Sequence, residues 1–304
     1  MKKQICLTNE FISIVIPTFN RGKILFKVLP SYLCQQYVKE IIIVDDFSND
    51  DTEALIKKYA LTHLKINYIK NNHRQGTNET TNTGLKKAIG DYIFIGEDDV
   101  ELNDNYLEIL LKHLKKENAD IISGRRIAIR INESKYDALM RVNKSKGLLI
   151  NNKTLVTNFE ILTENDASLY LLDACMLLRR DVINSVQFDT KLIRDPVAWR
   201  GESDFQLSAI EHGFKLIFCP HAYCFHLPKK KESSFQIIKY IKYDYYVFKN
   251  NYLFLRKHKK FINNNLKINS IFFIFQFSFF RIINRYFLPL FTKIKIVLSG
   301  KHST

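Results

Sequence analysis

The sequence predicts an α/β fold: a mostly parallel central sheet with helices on both faces, followed by a helical tail. Three observations carry this. The first half alternates strand-like and helix-like patterns, its strands are nearly continuous apolar runs, and each run ends in polar or acidic residues. Continuous apolar strands belong to parallel sheets covered on both faces. In open sheets of this kind, ligands bind beyond the carboxyl ends of the strands.

The elements follow in order. FISIVIPTF (11–19) is an apolar strand run ending in a Pro-Thr turn. KILFKVLPSYLCQQ (23–36) reads as a helix kinked at Pro30. KEIIIVDDF (39–47) is a β-branched strand, and SNDDTEALIKKYA (48–60) a helix with Ser, Asn and Asp as N-cap residues. LKINYIK (64–70) is a strand and TNETTNTGLKKAIG (77–90) a helix closed by glycine. DYIFIGEDD (91–99) is a strand, NYLEILLKHLKKEN (105–118) an amphipathic helix, and ADIISGRRIAI (119–129) a further strand. Residues 130–165 hold many Asn and Lys with weak periodicity, and read as a helix-and-loop insert. ASLYLLDACMLLRRDVI (167–183) is apolar and ends in a basic pair before a short helix. GESDFQLSAIEHGFKLIFCP (201–220) is a helix capped at His212-Gly213 that returns as a strand.

Successive strand ends therefore carry Pro17-Thr18-Phe19-Asn20-Arg21, Asp45-Asp46, Asn72-His73-Arg74-Gln75-Gly76 and Glu97-Asp98-Asp99. Adjacent carboxylates repel one another unless a cation or a donor network holds them. GEDDVEL (96–102) has two readings: a solvated turn capping a helix that begins near Asn103, and a divalent metal site. A solvated edge needs no acids at two adjacent strand ends, which favours the second.

The formal net charge of +15 is unevenly spread, since Lys229 to the end holds 16 Lys/Arg against two acids. The first 228 residues are nearly neutral. This split predicts a globular unit over 1–228 and a basic, aromatic-rich tail over 229–304, with any attraction to an anionic surface confined to the tail. No nucleic-acid-binding motif is present, so nucleic acid is not an expected partner. Cys6, Cys34, Cys175, Cys219 and Cys224 form no CxxC pair and no zinc spacing, the pattern of reduced thiols in a cytosolic protein. MKKQICLTNEF lacks the apolar stretch of a signal peptide.

Together the strand-end motifs resemble family 2 glycosyltransferases, which have the GT-A fold. SIVIPTFNR is similar to the family's opening strand and loop, and IIIVDDFSNDDT to its V-D-D-x-S-x-D-x-T. The run from Asn72 to Asp91, with Gly76, Asn82, Gly84 and Gly90, resembles the Asn/Gly-rich helix segment, and IFIGEDDVEL the metal-binding D-x-D region. LLRRDVI with FDTKL, then RGESDFQL and PHAYCFH, resemble the acceptor-side core.

The resemblance implies a metal-dependent, inverting transfer from a nucleotide-sugar donor. Mg²⁺ or Mn²⁺ held by carboxylates would supply positive charge to the departing diphosphate. Asp99 is implied as the direct ligand, with Asp98 on the ribose or the metal's water shell; the pattern E-D-D instead of D-x-D, with Glu97 first, leaves that division open. Asp46 matches the acid that bonds the nucleotide base, with Asp45 beside it, and helix capping is the alternative for both. A carboxylate accepting an imide N–H suits uracil. Pro17, Thr18 and Asn20 lie in the loop that approaches the nucleotide, and Arg21 and Arg74 are implied phosphate contacts. Thr81 stands where the family often has Arg before Asn82, leaving Arg74 as the nearest substitute. Glu202 takes the position of the catalytic base, with Asp204 as the second acid; capping is again the alternative. His226 matches a histidine that completes the metal site in some relatives. Asp173 is placed near the acceptor cleft.

In the tail, SFQIIKYIKYDYYVFKNNYLFLRKHKK (234–260) interleaves aromatics and lysines at near-helical spacing. INSIFFIFQFSFF (268–280) is uncharged but has only 13 residues, against about 20 for a bilayer span. Arg281, Arg285 and Pro289 follow. The expectation is amphipathic helices lying on the cytoplasmic face of the membrane, with Lys and Arg on anionic headgroups. Packing of the Phe run against the globular unit and a re-entrant hairpin are the alternatives. Membrane attachment would suit a lipid-linked saccharide acceptor. Two other functions compete. A nucleotidyltransferase would carry a Gly-rich loop where PTFNRGK has one glycine, and a non-enzymatic basic binding protein would rest on the tail alone.

Overall fold

The computed structural model describes residues 10–191, 199–228, 237–267 and 270–283. Cys6, Arg285, Pro289 and residues 229–236 of the tail lie outside them. The chain runs β1 (Ile12–Thr18), α1 (Gly22–Leu33), β2 (Val38–Asp45), α2 (Thr52–Ala60), β3 (Ile66–Lys70), α3 (Thr77–Lys87), β4 (Tyr92–Ile95), β5 (Val100–Leu102), α4 (Tyr106–Lys116) and β6 (Ile121–Ala128). The insert holds α5 (Lys135–Asn143) and a small hairpin of β7 (Ile150–Asn151) and β8 (Val156–Thr157). Then come β9 (Ala167–Ser168), β10 (Met176–Arg179), α6 (Arg180–Ser185), α7 (Gly201–Glu211) and β11 (Leu216–His226). The tail forms α8 (Ile237–Lys257), α9 (Lys259–Asn265) and α10 (Ser270–Ile282).

The main sheet has the order β3-β2-β1-β4-β10-β6-β11-β5, with β9 pairing β11. The pairs β3-β2, β2-β1, β1-β4 and β6-β11 are parallel. Strands β10, β5 and β9 pair antiparallel with their neighbours, so the sheet is more mixed than its first half suggests. The basic pair ending the 167–183 run accounts for the direction of β10. Arg179 Nε donates to Ala119 O at 2.8 Å and Arg180 Nη2 to Ala88 O at 3.1 Å. Both acceptors lie just before the parallel strands β6 and β4, so β10 must run towards their amino ends.

Strand residues alternate between two cores, as a sheet covered on both faces requires. Ile14 and Ile16 pack with Leu25 of α1 and Leu110 of α4. Val15 packs on the other side with Leu85 of α3 and Phe205 of α7. Gly84 permits α3 to approach β1 closely, since a Cβ there would lie 2.3 Å from Val15 Cγ1. The glycine expected to close α3 does something else: the helix ends at Lys87, Ala88 is extended, and the Gly90 N–H donates to Ser13 Oγ. Gly213 does cap α7, at φ +90°.

The described tail packs on the globular unit. Val247, Phe254, Leu255, Ile262 and Phe277 share a buried cluster with Leu155, Leu171 and Leu207. No described helix is long and apolar enough to cross a membrane. The contact is also ionic. Asp204 of α7 is buried and accepts from Lys257 Nζ at 2.8 Å and from His258 Nε2 at 2.9 Å. Removing one partner of a buried charge pair costs about 3 kcal/mol. Asp204→Asn is therefore expected to lower Tm by on the order of 5 °C and to speed amide exchange in α8 and α9. Unchanged Tm and exchange would remove Asp204 from this role.

Candidate nucleotide and metal site

A cleft of about 320 Å³ opens at the carboxyl ends of β1, β2 and β4. Thr18 closes β1, and its hydroxyl donates to Asp98 Oδ2 at 2.8 Å. The acids Glu97, Asp98 and Asp99 form the turn between β4 and β5. This turn caps no helix, because α4 begins only at Tyr106. Pairing of β5 with β11 instead folds it back over the cleft. Gly96 admits the approach of Tyr32, whose hydroxyl donates to Glu97 O at 2.9 Å.

Asp98 and Asp99 are both buried. A single guanidinium nitrogen, Arg21 Nη1, lies 2.7 Å from an oxygen of each. His226, the last residue of β11, places Nε2 3.4 Å from Asp99 Oδ2. Burial pushes the Asp98 carboxyl up from its ordinary value, and Arg21 opposes this. Glu97 is pushed up to about 8, first by burial and then by the charges of Asp173, Asp99 and Glu202, against the pull of Arg126. Arg126 Nη1 lies 2.5 Å from Glu97 Oε2 and 3.7 Å from Asp173 Oδ2.

On the opposite wall, Asp46 accepts the backbone N–H of Gln75 at 2.7 Å and of Gly76 at 2.9 Å. It thereby holds the loop that starts α3 and does not cap α2, whose first turn is bonded by Asp50. Arg74 stacks on Phe19, 4.1 Å from the ring centroid, with Nε 3.9 Å from Asp46. Glu202 enters from the first turn of α7, and burial raises its carboxyl first, with Asp173 adding to this and Arg126 opposing it.

Of the residues singled out from sequence, Pro17, Thr18, Arg21, Asp46, Arg74, Asp98, Asp99, Glu202 and His226 line this cleft. Asn20, Asp45 and Asp204 do not, and each has a structural partner instead. Asn20 Oδ1 accepts from Asn49 N at 2.9 Å. Asp45 is fully buried, accepting from Ser48 N and the Tyr68 hydroxyl. Asp204 faces the tail. Sequence reading missed Arg126, Thr77, Thr80 and Phe188, which also line the cleft. A pair of arginines inside the apolar strand SGRRIAI was the available signal for Arg126. Phe188 is placed by Asn82, whose amide donates to Phe188 O and accepts from Phe188 N.

The donor set fits a divalent cation. Two buried carboxylates already draw a guanidinium to both, so the pocket attracts positive charge. Oxygen ligands suit Mg²⁺ and Mn²⁺, and an imidazole beside them shifts the preference towards Mn²⁺.

The Glycosyl transferase family 2 model matches residues 13–186. The chain belongs to this family. It is 30% identical over 117 residues to the glycosyltransferase GlyG of Streptococcus pneumoniae, a match covering 38% of this chain and 39% of the relative. It is 36% identical over 119 residues to the poly(ribitol-phosphate) beta-N-acetylglucosaminyltransferase TarP of Staphylococcus aureus, covering 38% and 36%. A GalNAc(5)-diNAcBac-PP-undecaprenol beta-1,3-glucosyltransferase of Campylobacter jejuni matches at 33% over 115 residues, 37% of each chain. The chain thus aligns with well under half of each of these relatives. The fold is shared with S. aureus TarS, solved with UDP-GlcNAc, at TM-score 0.57 and 16% identity over 90% of this chain and 73% of that one. It is also shared with GalNAc-T7, solved with UDP, GalNAc and Mn²⁺, at TM-score 0.61 and 16% identity over 92% and 58%. These are GT-A folds, with a mixed sheet and helices on both faces.

The geometry makes a paired prediction for cation binding. Asp99→Asn is expected to weaken Mn²⁺ binding at least about 100-fold, since even second-layer partners of a metal cost up to that much. Arg21→Ala removes a competing cation and is expected to tighten Mn²⁺ binding in the absence of donor. Calorimetric titration of both variants checks this; weaker binding in Arg21→Ala would contradict it.

Proposed function

We propose that this chain is a metal-dependent, inverting glycosyltransferase that moves a sugar from a nucleotide-sugar, with a UDP-sugar favoured, to a saccharide or lipid-linked acceptor. The observation that carries the reading is one cleft walled by Asp46 and Arg74, floored by Asp98, Asp99 and His226, and faced by Glu202. Asp46 offers a carboxylate to an imide N–H, as uracil presents. Arg74, lying over the Phe19 ring, presents a positive charge for phosphate. Asp98, Asp99 and His226 would hold Mg²⁺ or Mn²⁺, which when bound supplies positive charge to the diphosphate oxygens. Glu202 accepts the acceptor hydroxyl proton as that oxygen bonds to the anomeric carbon. The carbon–oxygen bond to the diphosphate breaks on the opposite face, so the anomeric configuration inverts. Arg126 and Asp173 set the charge around Glu202. A role in cell-surface glycan synthesis is part of this reading, and the names of the relatives above support it.

The raised Glu202 carboxyl predicts the pH profile. A base must be unprotonated, so the acid limb of kcat/KM lies above the ordinary glutamate value of about 4.3, and activity falls as pH drops through it. Glu202→Gln is expected to lower kcat about 10²- to 10⁴-fold and to abolish that limb. UDP release from UDP-glucose and UDP-N-acetylglucosamine, with NMR of the product's anomeric configuration, provides the measurement. A retained configuration, or near-normal turnover in Glu202→Gln, would sink the mechanism.

The tail supports peripheral contact with an anionic membrane on the cytoplasmic face. Ile241, Tyr245 and Tyr252 of α8 and Phe272 and Phe279 of α10 are exposed, while Lys242, Lys249 and Arg256 lie between them in sequence. Exposed aromatics beside basic residues suit the headgroup region. Such contact would bring the cleft to a lipid-linked acceptor. Co-sedimentation with phosphatidylserine vesicles is expected for the wild type and to fall several-fold in a Tyr245→Ser, Phe272→Ser, Phe279→Ser variant, with salt weakening both. Equal binding by both proteins would reject this face.

A further inference from the structure

Outside the cleft, three metal-ligating side chains meet at α4, with a fourth, His221, beside them. His113 lies on α4, Asp166 just before β9, and Cys219 and His221 on β11. Ligand atoms of His113, Asp166 and Cys219 all lie within 4.8 Å of one another. The His221 ring sits beside that of His113, with centroids 5.3 Å apart. Cys219 and His221 flank Pro220, where the β6-β11 register shifts between Phe218 and Tyr223. The cluster lies well before His226 on the same strand and shares no residue with the cleft.

One atom points to a missing ligand. The Asp166 side chain is 7% exposed. Its Oδ2 pairs with His113 Nδ1 at 2.6 Å, but its Oδ1 is buried with no hydrogen-bond partner among the described residues. A buried carboxylate oxygen without a donor has lost its solvation with nothing in return. A cation bound between Asp166 and Cys219 would give that oxygen a partner and displace the thiol's proton.

We propose that His113, Asp166, Cys219 and His221 form a structural zinc site, separate from the catalytic cleft, that ties α4 to β11 and the segment before β9. Sulfur, imidazole and carboxylate ligands in fourfold number suit Zn²⁺. Zinc bonds of about 2.0–2.3 Å put tetrahedral ligand atoms about 3.3–3.8 Å apart. The three clustered atoms, within 4.8 Å of one another, reach that spacing by shifts of about an ångström, and His221 must rotate in as the fourth ligand. His221 is exposed and swings most freely. Hard Mg²⁺ would not choose a thiolate, so the site also separates two metals by ligand chemistry.

Elemental analysis of the full chain, purified without chelator and desalted, is expected to find about one zinc per chain. Cobalt substitution is expected to give the thiolate-to-cobalt charge-transfer band of a tetrahedral site in the wild type and in Asp99→Asn. Cys219→Ser is expected to lose the band. His221→Gln, at an exposed position that folding tolerates, is expected to weaken zinc binding at least about 10-fold. Zinc addition to stripped wild type should raise Tm. No bound zinc and no charge-transfer band in the wild type would overturn the proposal. So would a metal lost in Asp99→Asn but kept in Cys219→Ser, which would assign it to the cleft.

Discussion

Negative charge crowded into a small cleft is the constraint on which this structure turns. Asp46, Glu97, Asp98 and Asp99 all line it, and carboxylates this close and this buried cannot all ionise unless positive charge is near. Three arginines from separate elements meet that need. Arg21 holds Asp98 and Asp99, Arg126 holds Glu97, and Arg74 lies beside Asp46. Each arginine fixes where its strand end can sit. The same electrostatics that assemble the rim concentrate charge of both signs in one cleft.

Helix α7 shows how the cleft is joined to the rest of the chain. Successive residues on a helix turn by about 100°, so Glu202 and Asp204 point about 200° apart. One can face the cleft only if the other faces away. Glu202 takes the cleft and Asp204 takes Lys257 and His258 of the tail. Two residues on, Gln206 bonds Leu172 N and O and fixes the segment that carries Asp173. A single helix thus sets Glu202, its charged surroundings and the docking of the tail.

That geometry also explains what was legible in the sequence. Strand ends were readable because β-branched runs and the acids that follow them are local signals. The parallel half of the sheet came out in order for the same reason. Asp45 and Asp46 were readable as a pair but not in their roles, because alternate residues of a strand face opposite ways; one meets Tyr68 and the other the cleft. Glu202 and Asp204 stayed unresolved until the helix phase was known. Arg126, the antiparallel turn of β10 and the docking of the tail all depend on partners far away in sequence. The cysteines showed no zinc spacing because His113, Asp166 and Cys219 come together only through tertiary packing.

The compositional boundary near residue 228 is not a boundary in the packing. Arg200, at φ +73° and the N-cap of α7, is buried and donates to Asn251 Oδ1 at 3.1 Å and Leu155 O at 3.0 Å. Burial lowers its guanidinium to about 10, and Phe254 and Phe277 lie over it, the nearer ring centroid at 5.2 Å. The tail thus supplies one of its acceptors and part of its aromatic cover. Without the tail, Arg200 would lose those contacts and Asp204 its two cationic partners, both at the N-terminal turn that carries Glu202. The basic segment that looks like an appendage in the composition is therefore part of what positions the helix that carries Glu202 into the cleft.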